Sequence, residues 1–166
     1  RPRAFVPYAM LGLLVWNAGT SWWFFMVSEP LGTKLVSGLA PMVVNTLLMT
    51  LPWWLKRVVR KQLPTAFGHI ALVVFWLSFE RLHHAWDLQW PWFSMGNVFG
   101  ELPACIQWYE VAGMLGGGLW IWIVTLLLDR LLQQWSTEGV GASLRGVTVA
   151  VLAISVPLAL SLWRFH

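Results

Sequence analysis

Five stretches of this chain carry no Asp, Glu, Lys or Arg: Ala4–Ser28, Leu35–Leu55, Gln62–Phe79, Val111–Leu128 and Gly146–Trp163. A hydrocarbon layer of about 30 Å is crossed by roughly 20 helical residues, with about 17 as the lower limit. Every one of the five runs reaches that length. Water is absent from the bilayer core, so each backbone polar group must be satisfied within the protein, and only helices or a closed barrel achieve this. A barrel needs short segments of alternating polarity. Ile70–Leu77 and Leu119–Leu128 are apolar on every face, so helices are the reading. The pattern predicts an all-α, polytopic transmembrane bundle, one domain over residues 1–166. Its spans lie near residues 5–27, 36–55, 66–84, 111–129 and 146–163, with an irregular outward-facing loop between the third and fourth.

Composition supports that class. Hydrophobic residues make up 58% of the chain and charged residues 11%, less than half the roughly 25% of an ordinary soluble domain. The net charge of +4 could suggest nucleic acid, but the basic residues segregate by side. With the first span entering from the cytoplasm, the inner side holds Arg1, Arg3, Lys56, Arg57, Arg60, Lys61, Arg130 and Arg145. The outer side holds Lys34, Arg81 and Arg164. Eight against three fixes the orientation by the basic bias of cytoplasmic loops. The N-terminus is then cytoplasmic, and Trp86–Glu110 and the C-terminus face outward. The charge reports topology, and nucleic acid is not expected as a partner.

Breakers divide the runs. Pro30 and Gly32 mark the first outer turn, Pro64 a basic cytoplasmic turn, and Gly139 and Gly141 the second. Pro41 and Pro52 fall near the ends of the second span, where a lost backbone hydrogen bond costs less than at mid-helix, and Pro157 is expected to kink the last. Gly113 and Gly117 have the spacing that lets two membrane helices approach closely. The single Cys105 excludes an internal disulfide and a cysteine metal cluster, and reads as a small packed side chain. No secretory signal opens the chain, and its start at Arg1 rather than Met suggests a fragment or a trimmed chain.

The unusual region is Phe79–Gly113, where Trp86, Trp90, Trp92 and Trp108 gather near histidines and acids. Some of the 14 tryptophans are interface anchors, Trp22, Trp23, Trp53 and Trp54 among them. A belt does not explain Trp90-Pro91-Trp92. Proline disfavours helix for the residue before it, so the chain leaves the helix close to membrane depth, which is tolerated only where protein covers it or it lines a cavity. Glu80 and His83 have the i, i+3 spacing of a carboxylate–histidine metal motif, but no second copy and no zinc pattern accompany them, so neither a metal nor a cofactor is expected. Glu80 inside a span needs a hydrogen-bond partner or a nearby cation. Glu110 at the start of the fourth span complements the helix dipole.

These residues carry a resemblance. Glu80, then Pro91-Trp92 after ten residues, then Gly96, then Glu110 opening the next span, within WDLQWPWFSMGN and IQWYEVAG, resembles the membrane domain of apolipoprotein N-acyltransferases. The stretch WNAGTSWW, with Trp16 and Gly19, fits more loosely. The resemblance implies location in a bacterial inner membrane and a phospholipid and a lipoprotein as partners. It also implies two further spans ahead of the first run, then a periplasmic nitrilase-like domain and a last span beyond this sequence. The Glu-Lys-Cys catalytic set of the family belongs to that domain, so no catalytic residue is expected here. The implied reaction is ping-pong: a cysteine thiolate takes an acyl chain from phospholipid and passes it to a lipoprotein's N-terminal amine. Glu80, His84, Trp90, Pro91, Trp92, Gly96, Asn97, Tyr109 and Glu110 are the candidate lipid- or substrate-binding residues. The loop at Pro91-Trp92 is expected to floor the active site from the membrane side. The alternative is a non-catalytic membrane scaffold or lipid-binding subunit of a larger complex. A transporter fits less well, because Glu80 is the only buried charge on offer.

Overall fold

The computed structural model describes residues 5–87, 89–138 and 144–165. Among them the regular elements are all helical. Helix α1 spans Phe5–Ser21 and runs on as a 3-10 segment, Trp22–Met26. Helix α2 spans Leu31–Leu39, a π-helical stretch Ala40–Asn45 comes next, and α3 spans Thr46–Arg60. Helix α4 spans Thr65–His83. Three short 3-10 turns, Pro91–Phe93, Met95–Phe99 and Pro103–Cys105, lead to α5 at Tyr109–Glu138, and α6 spans Leu144–Phe165. The turn expected at Gly139 and Gly141 lies outside the described residues. Among the described helices three are long and apolar enough to cross a membrane: Leu31–Arg60, Tyr109–Thr137 and Leu144–Phe165. The chain divides into two compact units, residues 1–93 and residues 94–166.

In the first unit α3 packs against both α1 and α4. The interior of this unit is more polar than its surface. Asn17, Ser21, Asn45, Thr46 and Thr50 are buried, while Tyr8, Leu11, Val15, Ile70 and Val74 are exposed. That inversion suits a hydrocarbon solvent, where apolar side chains gain nothing by hiding and polar ones must find each other. The Asn17 amide donates to Thr46 Oγ1 at 3.1 Å and to its own helix at Leu13 O. Asn45 Nδ2 donates to Asn17 Oδ1 at 2.8 Å, tying α1 to the start of α3. Met49 Sδ accepts weakly from both amides.

Pro41 and Pro52 are not near helix ends. The helical stretch runs unbroken from Leu31 to Arg60, because Lys34 and Lys56, which bound the uncharged run, lie within it. Lys56 is buried, with its ammonium over the Phe5 and Trp53 rings, so the charge is held inside the helical stretch. Pro41 falls in the π-helical stretch. Proline lacks the N–H and crowds the carbonyl four residues earlier, and the wider π turn makes room for both defects. Each residue advances an α-helix by about 100°, so a one-residue bulge re-aims the helix beyond it. Here Asn45 and Thr46, at its end, meet α1. Pro157 sits inside α6.

In the second unit α5 and α6 pack together, with Trp120 Nε1 donating to Ala153 O at 2.7 Å. Gly113 and Gly117 do not serve helix-to-helix approach. Gly113 breaks α5 with φ +66° and ψ −178°, and a Cβ placed on it would meet nothing within 4 Å. Its use is conformational freedom that a side chain would deny. Gly117 is covered by Tyr109 of its own helix. Eight residues of straight helix rise about 12 Å, beyond the reach of a tyrosine, so the break at Gly113 is what folds the first turn back.

Candidate functional site

The candidate residues fall into both units. In the first, α4 delivers Glu80 and the loop after it delivers Trp90 to Trp92. Glu80 is 3% exposed, and its Oε1 accepts from Trp76 Nε1, one turn earlier on the same face, at 2.9 Å. A carboxylate in a helix of this kind needs such a donor, and Trp76 is itself fully buried. Helix α4 ends at His83, and the next residue, His84, closes it by donating its backbone N–H to Glu80 O.

The loop is organised by His83, the neighbour of the candidate His84. It is buried, and its Nε2 lies 3.1 Å from the backbone nitrogen of Trp90. Its ring stacks on Phe79 and lies 5.7 Å from the Trp90 ring, with Trp86 edge-on. Trp90 is thereby held inside. Pro91 begins a single 3-10 turn whose closing bond runs from Phe93 N–H to Trp90 O. Trp92 then points the other way and is 44% exposed, flanked by Trp23 and Phe24 at ring distances of 6.3 and 5.9 Å. The loop thus has a buried tryptophan as its anchor and an aromatic platform on its open face. Trp23, expected as an interface anchor, belongs to that platform. Trp53 is no plain anchor either. It packs on Phe5 and under the Lys56 ammonium, which sits 5.5 Å from its ring.

In the second unit Gly96, Asn97, Tyr109 and Glu110 come from the 3-10 turn Met95–Phe99 and the start of α5. Tyr109 Oη donates to Gly96 O at 3.1 Å. Gly96 is buried, and a Cβ there would collide with the Met114 carbonyl. Here the backbone needs a glycine for close approach. Asn97 is exposed, and its backbone bonds Ser94 and Gly100 within the turn. Glu110, in the first turn of α5, is exposed and pairs with Arg164 of α6 at 2.6 Å. Trp108 stands edge-on to Tyr109 and Trp120 and extends the aromatic cluster. The structure therefore joins Gly96 to Tyr109 and gives Glu110 a partner that the sequence did not suggest.

Among the described residues no three His, Cys, Asp or Glu side chains converge to hold a metal ion. Cys105 lies half-buried in the turn Pro103–Cys105. What these parts offer chemically is aromatic surface, a buried carboxylate and fixed backbone, which are means of binding and positioning.

Residues 1–127 of the 166 match the apolipoprotein N-acyltransferase N-terminal domain. The chain belongs to that family. The matched stretch takes in the whole first unit, the three 3-10 turns and most of α5. Every candidate residue of this family member lies within it. No curated protein and no solved structure matches the chain. An acyltransferase of lipoproteins works on molecules that live in a bilayer, which agrees with the three helices long and apolar enough to cross one.

Proposed function

We propose that this chain supports transfer of an acyl chain from phospholipid to the N-terminal cysteine of lipoproteins, as the membrane-embedded part of the acyltransferase. It binds and orients lipid, and a periplasmic nitrilase-like domain supplies the Glu, Lys and Cys of the reaction. On this reading the chain crosses a bacterial inner membrane five times with its N-terminus cytoplasmic, so that the Trp90–Trp92 loop is on the periplasmic side where that domain works.

The observation that carries the reading is the split role of the two loop tryptophans. Trp90 is anchored through His83, while Trp92 lies open beside Trp23 and Phe24. An aromatic ring fixed at the interface packs well against the upper part of an acyl chain, and its anchored loop keeps it in place. A catalytic group gains rate from such positioning, and misplacement by about 1 Å costs on the order of a hundredfold.

The test is Trp92→Ala in the intact acyltransferase beside Trp54→Ala, an equally open tryptophan near the other end of the helical stretch Leu31–Arg60. Trp92→Ala lowers acyl transfer at least tenfold with the thermal unfolding temperature nearly unchanged, and Trp54→Ala leaves turnover intact. Equal, small effects on turnover would leave Trp92 as an interface anchor only.

A further inference from the structure

A groove between α3 and α4 in the first unit is not used by that reading, though His83, which anchors Trp90, forms part of its wall. Its volume is about 430 Å³, and it is lined by Leu48 and Leu51 of α3, Phe79, Leu82 and His83 of α4, and Trp86 beyond it. The walls are apolar apart from two groups that stand side by side, the His83 imidazole and the Trp86 indole N–H. Trp86 Nε1 lies 3.2 Å from His83 Nδ1, and the Trp90 backbone nitrogen lies 3.1 Å from His83 Nε2. Both groups facing the imidazole are donors.

A neutral imidazole has one N–H and one acceptor nitrogen, and an imidazolium has no acceptor at all. His83 can therefore accept from one of its two neighbours. Trp90 is 8% exposed, so a backbone N–H left without an acceptor there is costly. Trp86 is 43% exposed, and its indole can find another acceptor. Satisfying the buried amide assigns the acceptor to Nε2 and the proton to Nδ1. Nδ1–H and the Trp86 N–H then lie against each other, two donors that cannot satisfy one another. A single acceptor oxygen placed between them would satisfy both.

We propose that this groove holds one acyl chain of a membrane phospholipid, whose ester carbonyl oxygen accepts from His83 Nδ1–H and Trp86 Nε1–H. The occupant is dictated by the shape of the demand. The site asks for an apolar rod that ends in an acceptor carrying no donor, and an esterified fatty chain is that. A free phosphate would leave the apolar length empty, and a neighbouring protein helix has its carbonyl oxygens engaged within its own ladder. The exposed side chains of α3 and α4 include Leu47, Leu51, Ile70 and Val74, which suits a lipid surround. This site does not depend on acyl transfer. A chain that took part in no reaction would bind lipid here in the same way.

The test compares dioleoyl phosphatidylethanolamine with its diether analogue, which has the same headgroup and chains but no ester carbonyl. Residues 1–166 in detergent are titrated with each lipid, and retained lipid is counted by native mass spectrometry. The ester lipid is retained roughly fivefold more strongly, the size of effect one or two neutral hydrogen bonds give. Trp86→Phe, which keeps the ring and removes the donor, brings the ratio close to one. So does His83→Gln, whose side-chain oxygen can still accept from Trp90. Leu51→Trp fills the groove and lowers retention of both lipids. Equal retention of ester and ether lipid by the unaltered chain overturns the proposal without recourse to any variant. Retention unchanged by Leu51→Trp overturns it as well, and so does a lipid-free dimer that Leu51→Trp abolishes.

Discussion

Single residues settle where this chain tolerates change. Gly96 and Gly117 lie against the Met114 carbonyl and the Tyr109 hydroxyl, close enough that a methyl group on either would collide. Gly12 and Gly19 of α1 face open space. Gly96→Ala and Gly117→Ala are therefore expected to cost about 1–3 kcal/mol, the range of overpacked sites. Gly12→Ala and Gly19→Ala are expected to cost nothing, since alanine favours helix. Thermal unfolding of the four variants in one detergent checks the contrast, and a uniform response would refute it. At this scale the sequence was legible in part. Trp90-Pro91-Trp92 was visible because proline between two aromatics is hard to place in a helix. His83 was not, because its i, i+3 spacing from Glu80 drew attention to metal chemistry, and its actual partner is a backbone amide seven residues on. A contact to backbone leaves no mark in the sequence of the partner.

Between elements, the buried amides of Asn17 and Asn45 hold α1 to α3. Their worth comes from the asymmetry of hydrogen bonding: removing one partner strands the other, while removing both strands neither. Asn17→Leu alone is expected to destabilise by about 1–2 kcal/mol, near the upper end for interhelical hydrogen bonds in membranes. The double variant Asn17→Leu/Asn45→Leu is expected to lose less than the two single losses added together. Unfolding titrations of the three variants give the coupling, and strict additivity would mean the amides act separately. The five uncharged runs announced helices, because hydrophobicity over 17 or more residues has few other solutions. Their limits were less legible, since charge was taken to end a helical stretch that in fact takes in Lys34 and Lys56. The π-helical stretch at Ala40–Asn45 and the break at Gly113 depend on what the neighbouring turn must reach, and periodicity is silent on that.

At the scale of the whole molecule the central matter is which side the loop faces and what it serves. The eight-to-three division of basic residues leads us to expect Lys56–Lys61 on the cytoplasmic side. In a Cys105→Ser background, a reporter cysteine at Arg57 is expected to resist a membrane-impermeant maleimide in spheroplasts and to react after lysis. One at Gln89 is expected to react at once. Reaction at Arg57 before lysis would reverse the orientation and put the loop on the side away from the proposed chemistry. The resemblance was legible in widely spaced residues, Glu80, Pro91, Trp92, Gly96 and Glu110, each unusual for its position in a membrane protein, and the family match covers residues 1–127. The role of the chain is tested most directly by the lipoprotein itself. Residues 1–127 would replace the matching membrane domain of an active apolipoprotein N-acyltransferase, as the cell's sole copy, and a lipoprotein's N-terminal peptide would be weighed by mass spectrometry. The account predicts a peptide bearing three acyl chains, with a return to two when Trp92 is changed to Ala. A peptide that stays at two acyl chains, while the replaced enzyme is inserted in the membrane at normal level, would contradict it.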